Sequence, residues 1–404
     1  RVQMMPTYLD HAATSWPKAP GVAEAVSDAV NVPAAPWRGA HAQTRRADAV
    51  IADCRHAIAR LIGAEDPDRV VLTAGLTDGA NLMARGIVGA RRRAHPDRPV
   101  HLVSTGMDHN VIGRLVAELA ADPQTRVTHT RVPANPETGL IDPGALRGAI
   151  GPDTALVLLV HASNVTGTLQ DLGVLAGVCR ERGVPVLVDS AQSLGHLPVD
   201  GPALGVDILV GAGHKGLHGP LGTGFVWVRP GVEDLIDPMR VGGTGTDSAT
   251  PLQPRDMPTR FEAGTPNLPG IAGLAAAAEW VRERGLDAIR AHELTLIERV
   301  LELAGDTPGV RLIGPTDPAI RTGVFSFVVD GLDPVEAATI LEVEFGVITR
   351  GGLHCAPSVH RTFGTLDLGG TVRASLGVTN TTDDAERLFE ALRAITAEVG
   401  AGRA

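Results

Sequence analysis

The sequence predicts an α/β fold with a mainly parallel central sheet flanked by helices, followed by a smaller α+β C-terminal domain. Three observations carry this expectation. Apolar runs of strand length alternate with segments of helical spacing. The runs are nearly continuous, as strands covered on both faces should be. Polar residues gather where those runs end, which is where ligands bind in such sheets.

Taken in order, Tyr8 to Ser15 reads on its own as a polar surface arm, followed by turn formers around Pro17 and Pro20. Between Thr44 and Ile62, Ala47, Val50, Ile51, Cys54, Ile58, Leu61 and Ile62 recur at helical spacing, so Cys54 reads as packing. Val70–Thr73 is a strand, residues 74–79 a turn, and residues 80–88 a helix. Strands at 101–104, 126–132, 155–160 and 184–189 then alternate with helices at 111–121, 143–150 and 172–182. Beyond Pro230 come loops, then a long alanine-rich helical stretch over 271–303 that breaks near Gly285. The C-terminal part predicts strands at 324–329, 346–349 and 371–375, and helices at 334–345 and 382–399.

Between the apolar runs Asp207–Val210 and Phe225–Val228 lies a loop of fourteen residues, six of them glycine, with Lys215 between His214 and Gly216. Glycine lets a backbone turn sharply and approach a ligand, so Lys215 can be held against one; an incidental lysine on a surface loop is the alternative. The strand, glycine turn and helix start at 70–80 make an anion site, with Thr77 adding a hydroxyl, although the Gly-Lys-Ser/Thr ending of a Walker loop is missing. Asp108-His109, His161 to Asn164 and Asp189 to Gln192 also end strands. Each alone also reads as a cap or turn.

Bulk properties narrow the classes. Hydrophobic content of 44% and charge of 20% are those of a soluble globular protein. A net charge of −10 argues against nucleic acid as a partner. No apolar run reaches the roughly 18–20 residues that span a bilayer. Three cysteines form no disulfide framework, so a cytoplasmic location is expected.

Eight windows then resemble one family in the same order. They are Tyr-Leu-Asp-x-Ala-Ala-Thr from Tyr8, Arg38-Gly39-Ala40-His41, Ser163-Asn164-Val165-x-Gly167, Val188-Asp189-x-Ala191-Gln192, Gly213-His214-Lys215, Glu262 to Asn267, Arg350 to Ala356, and Arg373-Ala374-Ser375. The chain is similar to class V aminotransferase-type enzymes of the pyridoxal phosphate (PLP) fold type I, closest to group II cysteine desulfurases and selenocysteine lyases. That resemblance implies three parts: an N-terminal arm (1–20) belonging with the small domain and active site, a large PLP-binding domain (21–265), and a linking helix with the small domain (266–404).

It also implies roles. Lys215 would form the Schiff base with the cofactor and move the substrate Cα proton. Asp189 would pair with the pyridine nitrogen, Gln192 face the phenolic oxygen, and His109 stack on the ring and relay protons. Asn164 would contact cofactor or substrate carboxylate. Gly75, Leu76, Thr77 and His214 would hold the phosphate, joined by Thr265 of a neighbouring subunit in a homodimer. Arg373 would clamp the substrate carboxylate, with His11, His41 and Arg350 also at the substrate. Cys355 would be the nucleophile that takes sulfur from L-cysteine as a persulfide and releases L-alanine, and a sulfur-acceptor protein would be a plausible partner. A zinc site of His354, Cys355 and His360 offers at most three ligands, so no metal is expected. His11, Leu76 and Ala212 depart from the family pattern, and Ala212 removes one phosphate hydrogen bond. The same scaffold also hosts C–S or C–Se β-lyases, selenocysteine lyases, epimerases and aminotransferases.

Overall fold

The computed structural model describes residues 6–246 and 249–401. Seven strands form the large sheet, in the order Val70–Thr73, Gly224–Val228, Ile208–Ala212, Val186–Asp189, Thr154–Val160, Val100–Thr105, Val127–Val132. Gly224–Val228 runs antiparallel to both neighbours, and every other pair is parallel. Successive side chains of each strand enter different cores. Leu156, Leu158, Leu187, Ile208 and Val210 pack with helices Leu76–Ala94 and Asn110–Ala121. Val157, Leu159, Val186, Val188 and Leu209 pack on the other face with helices Ala42–Leu61, Leu172–Glu181 and Leu268–Arg284. Period-two alternation with both faces covered demands apolar residues at every position, which explains the continuous runs.

One expected turn is helix. Residues 76–79 form the first turn of Leu76–Ala94, and Asp78 accepts a hydrogen bond from the Ala74 amide at 3.0 Å. Gly79 is there for packing: a Cβ on it would meet Val226 at 2.6 Å and Val210 at 2.9 Å. It brings the helix close to the sheet.

A second, all-antiparallel sheet has the order Arg350–Gly352, Thr371–Ser375, Val324–Val329, Val310–Ile313. Its core includes Leu296, Ile297 and Val300 of helix Leu286–Gly305, Ala337 and Leu341 of Pro334–Phe345, and Leu388, Phe389 and Leu392 of Thr382–Ala401. The long helical stretch breaks at Gly285, which takes φ 80°. Strand Val310–Ile313 and helix Val22–Val30 escape sequence reading. The first is a four-residue edge strand with an exposed Arg311, and the second starts from Gly21 without a capping side chain.

The segment after residue 6 is built into the molecule. Thr7–Tyr8 pairs in parallel with Val347–Ile348, and the Ala12 amide donates to Ser375 Oγ at 2.9 Å. The Ser15 amide and Lys18 Nζ both donate to the His214 carbonyl, at 3.0 and 3.1 Å. Residues 7–18 therefore tie the small sheet to the lysine loop. No helix among the described residues is long and apolar enough to cross a membrane.

Candidate active site

The carboxyl ends of the parallel strands open into a cleft of about 750 Å³, closed on its other sides by the lysine loop, residues 12–13 and the segment around Cys355. Lys215 projects from a loop that only glycine permits. A Cβ on Gly213 would meet Thr223 Oγ1 at 2.2 Å, and one on Gly216 would meet the Leu194 carbonyl at 2.3 Å. Burial lowers the Lys215 ammonium pKa to about 8; Asp189 and Cys355 oppose the shift, while Arg373 and Arg350 add to it.

Asp189 ends its strand at 4% exposure and accepts from the Ala191 amide at 2.9 Å. Burial raises its pKa, against that amide and the Lys215 charge. Gln192 is buried, and its Nε2 donates to the Ala12 carbonyl at 2.9 Å, so its position depends on the N-terminal segment. His109 caps helix Asn110–Ala121, Nδ1 accepting from the Val111 amide at 3.1 Å. The ring proton is thus on Nε2, and burial with the charges of Lys215, Arg373 and Arg350 lowers its pKa to about 4. His109 is neutral at pH 7.

Asn164 donates from Nδ2 to the His354 carbonyl at 2.6 Å, while its buried Oδ1 has no partner. His214 Nδ1 contacts Thr14 Oγ1 at 3.2 Å, and its pKa falls to about 4, chiefly through burial. At the opposite end, no side chain caps helix Leu76–Ala94. Gly75, at φ 150° and ψ 173°, takes a conformation essentially restricted to glycine. The first amides of that helix, with Thr77, make an anion-binding corner on the cleft wall.

Arg350 and Arg373 are directly opposite each other on paired strands, so their side chains share a face, and both line the cleft. Arg373 is 1% exposed. Its Nη2 donates to Asp10 Oδ1 at 2.6 Å and its Nη1 to the Asn164 carbonyl at 3.1 Å, leaving Nε buried without a partner. The Arg350 side chain makes no hydrogen bond or ion pair among the described residues.

Cys355 is exposed on the cleft wall, whereas Cys54 and Cys179 are buried and their thiols are pushed up to about 12. His354 and Cys355 both take left-handed backbone angles, φ 48° and 57°. The Cys355 carbonyl accepts from the Asn110 amide at 2.7 Å. His354 Nε2 donates to the Thr371 carbonyl at 3.0 Å. Two fixed neighbours thus hold this bent segment.

Three residues expected at the site stand elsewhere on this chain. His41 is an exposed helix cap, its Nδ1 accepting from the Thr44 amide at 3.3 Å. Thr265 is exposed and lines an adjoining hollow with Glu262 and Asn267, which shares Ala74 and Gly222 with the main cleft. His11 is 4% exposed and absent from the cleft wall. Because Asp10 points to Arg373, His11 points the other way, against Tyr8 (ring centroids 5.0 Å apart) and His218 (6.3 Å). Asp10, which sequence reading did not single out, is the residue brought in by that turn.

Both ring nitrogens of His11 lack partners, and burial lowers its pKa to about 3. The unfolded chain therefore binds a proton below the ordinary value of about 6.5 that the folded protein refuses, and stability from His11 is lost on acidification. His11→Leu removes this penalty. Its stability relative to wild type, from urea midpoints, is expected to grow by roughly 2 kcal/mol between pH 7 and pH 5. A pH-independent difference would show that His11 is not held neutral.

Residues 7–388 match the family model described as aminotransferase class-V. A probable cysteine desulfurase of Methanothermobacter thermautotrophicus is 32% identical over 390 residues, covering 96% of this chain and 94% of that protein. A cysteine desulfurase of Klebsiella pneumoniae (strain 342) is 33% identical over 90% of this chain and 86% of its own length. The apo cysteine desulfurase of Thermococcus onnurineus superposes with a TM-score of 0.87 at 30% identity, covering 97% of this chain and 95% of that one. The cysteine desulfurase CsdA of Escherichia coli gives 0.83 at 28% identity, covering 98% and 95%. The chain belongs to the class-V aminotransferase family, and its α/β architecture is that of the fold-type I PLP enzymes.

Proposed function

We propose that this class-V aminotransferase is a PLP-dependent cysteine desulfurase that converts L-cysteine to L-alanine and leaves a persulfide on Cys355. The observation that carries the reading is one cleft lined by Lys215, Asp189, His109, two arginines and an exposed cysteine. The donor set fits a pyridine aldehyde bearing a phosphate. Lys215 offers an amine part-deprotonated near neutral pH, Asp189 a buried carboxylate suited to a cationic ring nitrogen, and the uncapped helix at Leu76 a phosphate corner. Ala212 brings no hydroxyl to that corner, which costs about 0.5–1.5 kcal/mol, small where several amides remain. When bound, the cofactor supplies an electron sink for the substrate Cα.

The chain supplies the rest. Arg350 and Arg373 orient the α-carboxylate, and Lys215 moves the proton at Cα. Neutral His109, bearing its proton on Nε2, would stack on the cofactor ring and donate without adding charge. Cys355 thiolate attacks the substrate Sγ: the S–S bond forms as Cβ–Sγ breaks, and Cβ takes up a proton to give alanine. The thiol proton returns on the persulfide, so cysteine and one enzyme thiol become alanine and one enzyme persulfide. Cysteine is reduced at carbon while sulfur is oxidised, and no outside oxidant enters.

The exposed thiol is open to a sulfur-acceptor protein. Thr265 and His41, exposed on this chain, are free to serve the site of a second copy, which supports a homodimer. Incubation with L-cysteine should give one alanine per sulfur released and, in a single turnover without reductant, a mass increase of one sulfur on the peptide carrying Cys355. Alanine without the Cys355 modification, or pyruvate and ammonia in its place, would overturn the reading.

A further inference from the structure

Lysine supplies only two of the 36 lysines and arginines in this chain, Lys18 and Lys215. Everywhere else the chain uses arginine, so a second lysine calls for a geometric reason. Lys18 Nζ donates to Thr14 Oγ1 at 3.0 Å, to the His214 carbonyl at 3.1 Å and to Ser15 Oγ at 3.2 Å. No carboxylate pairs with it among the described residues. Three N–H groups meet three oxygens, which suits a compact ammonium and not a planar guanidinium. Both lysines therefore belong to one loop: one projects from position 215, and the other grips the carbonyl just before it.

That carbonyl is crowded. It has two lone pairs, yet the Ser15 amide (3.0 Å), Lys18 Nζ, Ser15 Oγ (3.1 Å) and Thr14 Oγ1 (3.1 Å) are all within bonding distance. The amide is fixed by the backbone and the ammonium by its three partners, so the rotatable hydroxyls give way. Thr14 Oγ1 already accepts from Lys18, and its own hydrogen has one other acceptor in reach, His214 Nδ1 at 3.2 Å. A hydrogen given to Nδ1 leaves the proton of the neutral imidazole on Nε2. Nε2 is the nitrogen that Thr14 does not occupy, and His214 lines the cleft.

We propose that Lys18 is a positioning residue: through Thr14 it fixes His214 as the Nε2–H tautomer, so that the histidine presents a donor, and not a lone pair, to the cofactor phosphate. The two hydroxyls and the ammonium do for this ring what a carbonyl or carboxylate commonly does for a histidine that must hold one tautomer. The proposal rests on the phosphate-bearing cofactor of the proposed function occupying the cleft.

The test first reads His214 in apoprotein, by 15N NMR of histidine-labelled protein with His214→Gln for assignment. Wild type should show His214 protonated on Nε2 alone. Lys18→Met frees a place on the carbonyl for Thr14, and Thr14→Val removes the relay while leaving Lys18 its carbonyl, so in both variants His214 should become a mixture of tautomers. Affinity then separates the tautomer from loop packing. Each variant should bind pyridoxal phosphate roughly tenfold more weakly, as for one lost hydrogen bond to a charged group. Binding of pyridoxal, which has no phosphate, should stay within about twofold of wild type. Wild-type His214 protonated on Nδ1, a tautomer unchanged in both variants, or an equal loss for the two ligands would each overturn the proposal. Should Lys18→Met fail to fold, Thr14→Val decides on its own. The tautomer is read without cofactor, so a wild-type chain that binds neither ligand would refute the proposed function, while the spectrum still decides whether Lys18 and Thr14 set the histidine.

Discussion

Lys215→Ala is expected to lose alanine formation from cysteine by at least about 10³-fold, because under the proposed function one substitution removes both the covalent tether for the cofactor and the base at Cα. Cofactor retention supplies a separate readout. After borohydride reduction, wild type should carry the cofactor mass on the Lys215 peptide and the variant should carry none. The lowered pKa adds a pH signature. An ammonium displaced to about 8 by burial becomes reactive as pH rises through that value, so uptake of PLP by apoprotein should accelerate up to about pH 8 and then level off. A plateau only beyond pH 10 would mean that the lysine is solvated like an ordinary surface residue. Activity in the variant above about a hundredth of wild type would remove Lys215 from the reaction.

Cys355→Ala should lower sulfur release by roughly 10²–10³-fold while leaving cofactor binding intact, since the thiol lines the cleft together with Arg350 and Arg373 and is not among the groups that fit the ring or phosphate. The alanine side chain meets the same left-handed backbone as cysteine, so the comparison is between side chains and not between loops. Cys54→Ala and Cys179→Ala serve as controls. Both thiols are buried and pushed up to about 12, which keeps them protonated and unreactive, so neither variant should change persulfide yield. Full sulfur release from Cys355→Ala would mean that free sulfide leaves without an enzyme persulfide.

What could be read from the sequence divides along a physical line. Strands at 155–160 and 208–210 announce themselves because every residue is buried, and Asp189 and Lys215 follow because strand ends meet at one rim. Local signals failed where tertiary packing decides. Gly79 reads as a turn residue until Val226 and Val210 are seen pressing on it. His11 reads as a substrate contact, yet the turn at Asp10 sends the two side chains to opposite sides. The pairing of Arg350 with Arg373 depends on a strand register, and that of Arg373 with Asp10 on a contact 363 residues long. Neither leaves a trace in any window of sequence.

The segment tying the small sheet to the lysine loop bears on when this protein first becomes competent during its synthesis. Residues 7–15 leave the ribosome long before their partners at Val347–Ile348 and Thr371–Ser375. Until then Gln192 lacks the seated Ala12 carbonyl that accepts its amide, and Arg373 does not yet exist to meet Asp10. Such long-range closure is slow compared with local helix and hairpin formation. The large sheet is therefore expected to fold on the nascent chain with its cleft unfinished, and stable cofactor capture to begin only once residues 347–375 have emerged.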